Sequence, residues 1–150
     1  LKVDYPEIDE ERQILRSSAR TNIAKQKKST ITAASIVRAQ KSINDIYVDE
    51  KVEDYVLSLV FATRDPQKYG LKDMVQLIHY GASPRASINL ILASKARAFL
   101  EGRGYITPED VRYIGKEILR HRIILTYEAE AEELTSEDII QRLFDSIEIP

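Results

Sequence analysis

The sequence predicts an all-α fold, a bundle of five to six helices, from three observations. The helix formers Ala, Leu, Glu, Lys, Arg and Gln dominate, while glycine and proline number only five each. Apolar residues recur at helical spacing through several long segments. Two start signals, Ser83-Pro84 and Thr107-Pro108, place a capping residue directly before a proline at the first helical position. At 150 residues the chain fits one domain, 1–150, large enough to bury a core without disulfide or metal staples.

Taken in order, residues 1–6 read as an extended stretch closed by Tyr5-Pro6, because the residue before proline is pushed out of helical conformation. The acids Glu7, Asp9, Glu10 and Glu11 then precede Ile14-Leu15, which suits the positive end of a first helix. A second helix, with a weak stripe of Ile36, Val37 and Ile43, is expected from Thr32 to about Asn44. The third is clearer. Val52, Tyr55, Val56, Leu59 and Val60 fall on one helical face, Asp49 is the N-cap, and the helix stops near Asp65-Pro66.

Residues 66–82 form a connection with one short helical or irregular turn around Met74–Ile78, closed by Gly81. Ser83-Pro84 opens a helix that is apolar nearly all round, the signature of a central helix, and Gly102 and Gly104 end it. Thr107-Pro108-Glu109-Asp110 opens the next, striped by Val111, Ile114, Ile118 and Leu119 and closed by Arg120, His121 and Arg122. Ile123–Thr126 allows a short extended piece. Thr135/Ser136 then caps a last helix carrying Ile139, Ile140, Leu143, Phe144 and Ile147.

Several function classes are excluded or disfavoured by composition. The net charge is −2 with acids and bases mixed, which is not the basic face of a nucleic-acid binder. The run Lys25-Gln26-Lys27-Lys28 reads as a solvated loop. There is no cysteine, hence no disulfide, thiolate metal site or cysteine nucleophile. His79 and His121 are far apart in the chain, so no metal site is expected. No apolar run approaches the roughly 20 residues of a membrane span, and the cytoplasm is the expected compartment.

Phosphate chemistry within the chain is limited by the same reading. A phosphate-cradling loop needs G-x-x-x-x-G-K-[ST], but Gly115-Lys116 is followed by Glu117, and Asp110 stands where the earlier glycine is required. One constellation rises above this background: Gly81-Ala82-Ser83-Pro84-Arg85-Ala86. Capping explains Ser83 and Pro84. It does not explain Arg85, a cation in a first helical turn, where the dipole costs it about 0.3–1 kcal/mol.

That motif, the Ala-rich helix after it, Leu100-Glu-Gly-Arg103, Tyr105-Ile-Thr-Pro-Glu-Asp-Val111 and Leu119-Arg-His-Arg-Ile123 together resemble the lid subdomain of MoxR-type AAA+ ATPases. Ala62-Thr-Arg-Asp-Pro66 and the opening Leu1-Lys-Val-Asp-Tyr-Pro6 extend the resemblance over essentially the whole chain. It implies a nucleotide-binding domain carrying Walker A and Walker B ahead of this segment, with residues 1–6 as the hinge. The absence of an initiator Met agrees with that expectation. It further implies that Arg85 is the sensor 2 residue that reaches the γ-phosphate of ATP. Mg²⁺ would be held by the upstream domain, and Tyr5 and Pro6 would lie near the adenine. The intact protein is expected to be an ATPase forming a hexameric ring, with neighbouring subunits and client proteins, among them von Willebrand factor A domains, as partners. This segment alone would be inactive.

Two sites keep open alternatives. Arg64 is either a nucleotide-side or intersubunit group or the partner of Asp65 or a neighbouring helix. His121 is either a subunit contact or a helix-end residue, since interaction with the last carbonyls already accounts for the basic run at 120–122. A stand-alone helical interaction or histone-like dimerisation module is the alternative to the lid reading, with a helix-turn-helix DNA reader behind it.

Overall fold

The order of elements in the computed structural model is α1 (Ile8–Ser18), α2 (Ala33–Asn44), α3 (Glu50–Arg64), 3-10 turns at Pro66–Tyr69 and Lys72–Met74, and β1 (Ile78–Tyr80). It continues with α4 (Pro84–Leu100), α5 (Pro108–Leu119), β2 (Ile124–Leu125), α6 (Tyr127–Ala131) and α7 (Ser136–Ser146). The structure describes residues 5–19 and 30–150. Leu1–Asp4 of the expected hinge and the run Lys25–Lys28 lie outside them. The all-α class holds. The helices number seven among the described residues because the five-residue α6 joins the six that the sequence predicts.

The chain divides into two compact units, Leu1–Val37 and Arg38–Pro150. In the first, α1 starts as its acids predict: Glu7 is the N-cap, its backbone N–H donates to the Glu10 carboxylate at 3.0 Å, and Asp9, Glu10 and Glu11 occupy the first turn. Ile8, Ile14 and Leu15 are exposed.

The second unit holds the core. Its spine is α3, whose predicted stripe of Val52, Tyr55, Val56, Leu59 and Val60 is buried throughout, and which touches α4, α5, α7 and β1. Asp49 caps it by accepting the Lys51 N–H at 2.9 Å. Full burial of each such aliphatic side chain favours the fold by about 1.5–3 kcal/mol.

The helix expected to be central, α4, differs from that expectation. It buries one stripe, Ala86, Leu90, Ser94 and Ala98, and leaves Ile88, Leu92 and Leu100 exposed. The reason lies in side-chain size. Small residues at three of the four buried positions let α5 and α3 approach closely on that stripe. The large aliphatics fall on the other face, where Val56, Leu57, Ile88, Ile91 and Leu92 line an open apolar groove of about 350 Å³ between α3 and α4.

The extended piece expected near 123–126 is β2. It pairs antiparallel with β1, Ile78 opposite Leu125 and Tyr80 opposite Ile124. The Thr126 hydroxyl closes the ribbon by donating to the Gln76 carbonyl at 2.6 Å. The connection 66–82 therefore carries two 3-10 turns and a strand rather than one irregular turn.

Candidate functional site

The end of α3 fixes where the Gly81–Ala86 turn sits. Thr63, one turn beyond the Leu59-Val60 stripe, is buried although polar. Its hydroxyl donates to the Val60 carbonyl at 2.6 Å and accepts the Ala82 N–H at 2.8 Å. Its neighbour Arg64 donates from Nε to the Ala82 carbonyl, also at 2.6 Å. Both backbone polar groups of Ala82 are thus held by consecutive residues of one helix end.

Gly81 permits this closeness. A Cβ there would lie 2.4 Å from the Thr63 carbonyl oxygen and 2.8 Å from the Arg64 nitrogen, so only glycine lets the two backbones meet. Ala82 and Ala86 are buried on either side of the turn, and Ser83 takes the extended N-cap conformation of α4.

Arg85 projects from this anchored turn. It is exposed, in the first turn of α4, and makes no hydrogen bond or ion pair among the described residues. No acid occupies that first turn to offset it. An uncompensated guanidinium at the positive end of a helix dipole is a combination that suits an incoming anion.

The other end of α4 is fixed just as firmly. Gly102, at φ +72°, ends the helix in the left-handed conformation, and Arg103 N–H returns to the Ala98 carbonyl at 2.8 Å. The Asp110 carboxylate, 1% exposed, accepts hydrogen bonds from Arg103 at 2.6 and 2.8 Å, and Arg97 Nε forms an ion pair with it at 2.9 Å. It also accepts the Thr107 N–H at 2.9 Å. Burial alone would raise the Asp110 pKa, but the Arg103 and Thr107 hydrogen bonds outweigh it and hold the carboxyl below its ordinary value. Arg97 also lies over the Tyr113 ring, 3.4 Å from its centroid. Tyr47 strengthens the corner by bridging Gly104 and Ile106 through backbone hydrogen bonds.

The remaining sequence-predicted residues fall as follows. Tyr5 and Pro6 precede α1, both exposed, in the unit separate from Arg85. Arg64 does not pair with Asp65: Lys68 takes that carboxylate at 2.7 Å and, chiefly by its hydrogen bond, lowers its pKa. Arg120 bridges α5 to α7 through Glu117 and Glu137, each at 2.9 Å, rather than serving the helix-end carbonyls. The side chains of His121 and Arg122 contact each other. Thr63 and Asp110 are the site residues that sequence reasoning passed over. A polar side chain interrupting a buried stripe was the available signal for Thr63.

Known proteins resemble this chain in sequence and fold. The family described as AAA lid domain matches residues 74–143, from the second 3-10 turn into α7. Chaperone MoxR1 of Mycobacterium tuberculosis is 36% identical over 150 residues, which is 100% of this chain and 39% of that protein. The chain belongs to the lid domains of MoxR-type AAA+ proteins. Protein MoxR of Methylorubrum extorquens is 33% identical over 111 residues, 70% of this chain and 32% of its own length. A crystal structure from Cytophaga hutchinsonii, of a protein assigned as an ATPase, superposes with a TM-score of 0.88 at 37% identity. That match covers 99% of this lid and 45% of the solved chain. The lid thus spans less than half the length of the relatives it matches. Membership of the family favours the lid reading over the histone-like module.

Proposed function

We propose that this lid is the nucleotide-sensing part of an ATPase, with Arg85 as the sensor 2 residue that contacts the γ-phosphate of ATP. The observation that carries the reading is Arg85 itself: an exposed arginine, unpartnered among the described residues, on a first helical turn that is anchored to α3 on both sides of one residue. Phosphoryl transfer depends on positioning and on stabilising charge around the γ-phosphoryl, and a permanently charged, planar donor suits both tasks. The helix dipole that disfavours Arg85 when the site is empty favours the phosphate when it arrives.

Walker motifs and Mg²⁺ ligands would come from residues outside this chain. ATP would draw the lid closed through Arg85, and loss of the γ-phosphate would release it. Tyr5, exposed beside Pro6 ahead of α1, would belong to the hinge and is proposed to approach the adenine. Coupled to a hexameric ring in the cytoplasm, that cycle would drive chaperone-like remodelling of client proteins, von Willebrand factor A domains among them.

ATP turnover by the natural full-length protein, with and without Arg85→Ala, tests the reading beside the 150-residue lid alone. The lid alone should be silent, and Arg85→Ala should slow turnover by something on the order of 10²–10³. Wild-type turnover by Arg85→Ala would overturn the sensor assignment.

A further inference from the structure

We propose that Thr63 and Arg64 are positioning residues for Arg85, a brace at the end of α3 that sets the direction in which the guanidinium is presented to ATP. The proposal rests on the sensor reading of Arg85. Its basis is that the peptide planes on both sides of Ala82 are fixed, one through the Ala82 N–H to Thr63 Oγ1 at 2.8 Å and the other through the Ala82 carbonyl to Arg64 Nε at 2.6 Å. Thr63 cannot swing away, because its own hydroxyl proton is committed to Val60 at 2.6 Å. Arg64 is steadied by Phe61, whose ring centroid lies 4.8 Å from the guanidinium carbon, and is not drawn off by Asp65, which Lys68 holds. Arg85 follows Ala82 by three residues, with Pro84 restricting the backbone between them.

The arrangement is more specific than packing requires. Gly81 and buried Ala82 would seat the turn against α3 through contact alone. The two side-chain hydrogen bonds add control over the rotation of the turn, which is what aims a side chain. Misplacement of a catalytic group by about 1 Å costs up to about 10²-fold in rate, so small rotations here matter.

The test is steady-state ATP turnover by the natural full-length protein, resolved into kcat and KM, with melting temperature measured alongside. Thr63→Val removes the hydroxyl at nearly constant shape, Thr63→Ser keeps it, and Arg64→Gln removes the cation. Thr63→Val and Arg64→Gln should each lower kcat roughly tenfold, with Thr63→Ser restoring it. Neither should lower kcat further in an Arg85→Ala background, because the brace acts only through Arg85. Equal losses in both backgrounds would overturn the proposal and make Arg64 a direct phosphate contact or Thr63 a purely structural residue. Wild-type kcat in both variants would overturn it while leaving Arg85 as the sensor. A wild-type rate for Arg85→Ala would remove the sensor reading and the brace with it. Should Thr63→Val fail to fold, Arg64→Gln carries the same comparison alone.

Discussion

Asp110 and Arg103 form a bidentate pair, 2.6 and 2.8 Å, in which the carboxylate is almost wholly withdrawn from water and the guanidinium is about a quarter exposed. Arg97 adds a second cation at 2.9 Å. The pair joins the end of α4 to the start of α5, so the two helices that meet most extensively are locked at their shared corner. Removing one member of such a buried group leaves the others uncompensated. Asp110→Asn should therefore destabilise the lid by about 3–5 kcal/mol, read from urea denaturation midpoints. A loss below about 1 kcal/mol would mean that the two arginines find other partners.

The same carboxylate sets an acid limit. Its folded pKa lies below the ordinary aspartate value of 3.8, so its stabilisation is present above that value and is lost as pH falls through the folded pKa. Stability of the wild-type lid should fall on acidification below about pH 4. The Asp110→Asn variant should show a shallower decline over the same window. Parallel curves would show that other carboxylates control acid unfolding.

Gly115 sits in the middle of α5, where a Cβ would come within 2.4 Å of Phe144 Cζ. Phe144 is itself buried, and Arg112 spans its ring while donating to its carbonyl. Gly115→Ala gains helix propensity of about 1 kcal/mol yet should still lower stability by roughly 1–3 kcal/mol through overpacking. Combining it with Phe144→Leu should give less than the sum of the two single losses, because the smaller side chain makes room. Strict additivity would show that α5 and α7 separate freely.

Gly81→Ala presses on backbone instead of a ring end, and backbone cannot rotate away. The expected loss is again about 1–3 kcal/mol, visible as a lowered melting temperature. Unlike Gly115→Ala, it should not be rescued by shortening any side chain. A rescue by Thr63→Ser would contradict the backbone contact.

The long helices were legible because their signals are local. Asp49, Pro84, Pro108, Gly102 and Thr135 mark ends through chemistry that acts within one turn, and each holds that role in the fold. β1 was not legible, since three residues are too few to alternate and the strand exists only because β2 lies some forty residues further on. The partner of Arg64 was missed for a competitive reason. Adjacency to Asp65 predicts a pair, but Lys68, one 3-10 turn away, reaches that carboxylate and frees Arg64 for Ala82. The openness of α4 was hidden because apolar content alone does not say which face receives the small residues. Arg85 stood out in the sequence by violating a local rule. What holds it in place, Thr63 and Gly81, involves residues 18 and more apart and needed the fold.

The contact between Gly81 and the end of α3 leaves no slack in the joint. Where most connections between elements would absorb a tug by bending, this one transmits it: a displacement at the start of α4 must carry the carboxyl end of α3 with it. Since α3 is in turn packed on α5, α7 and β1, the load is handed on to those elements, as by a crank. A force of molecular size applied at Arg85 would thus pass from α4 into α3 and on to the elements packed against it.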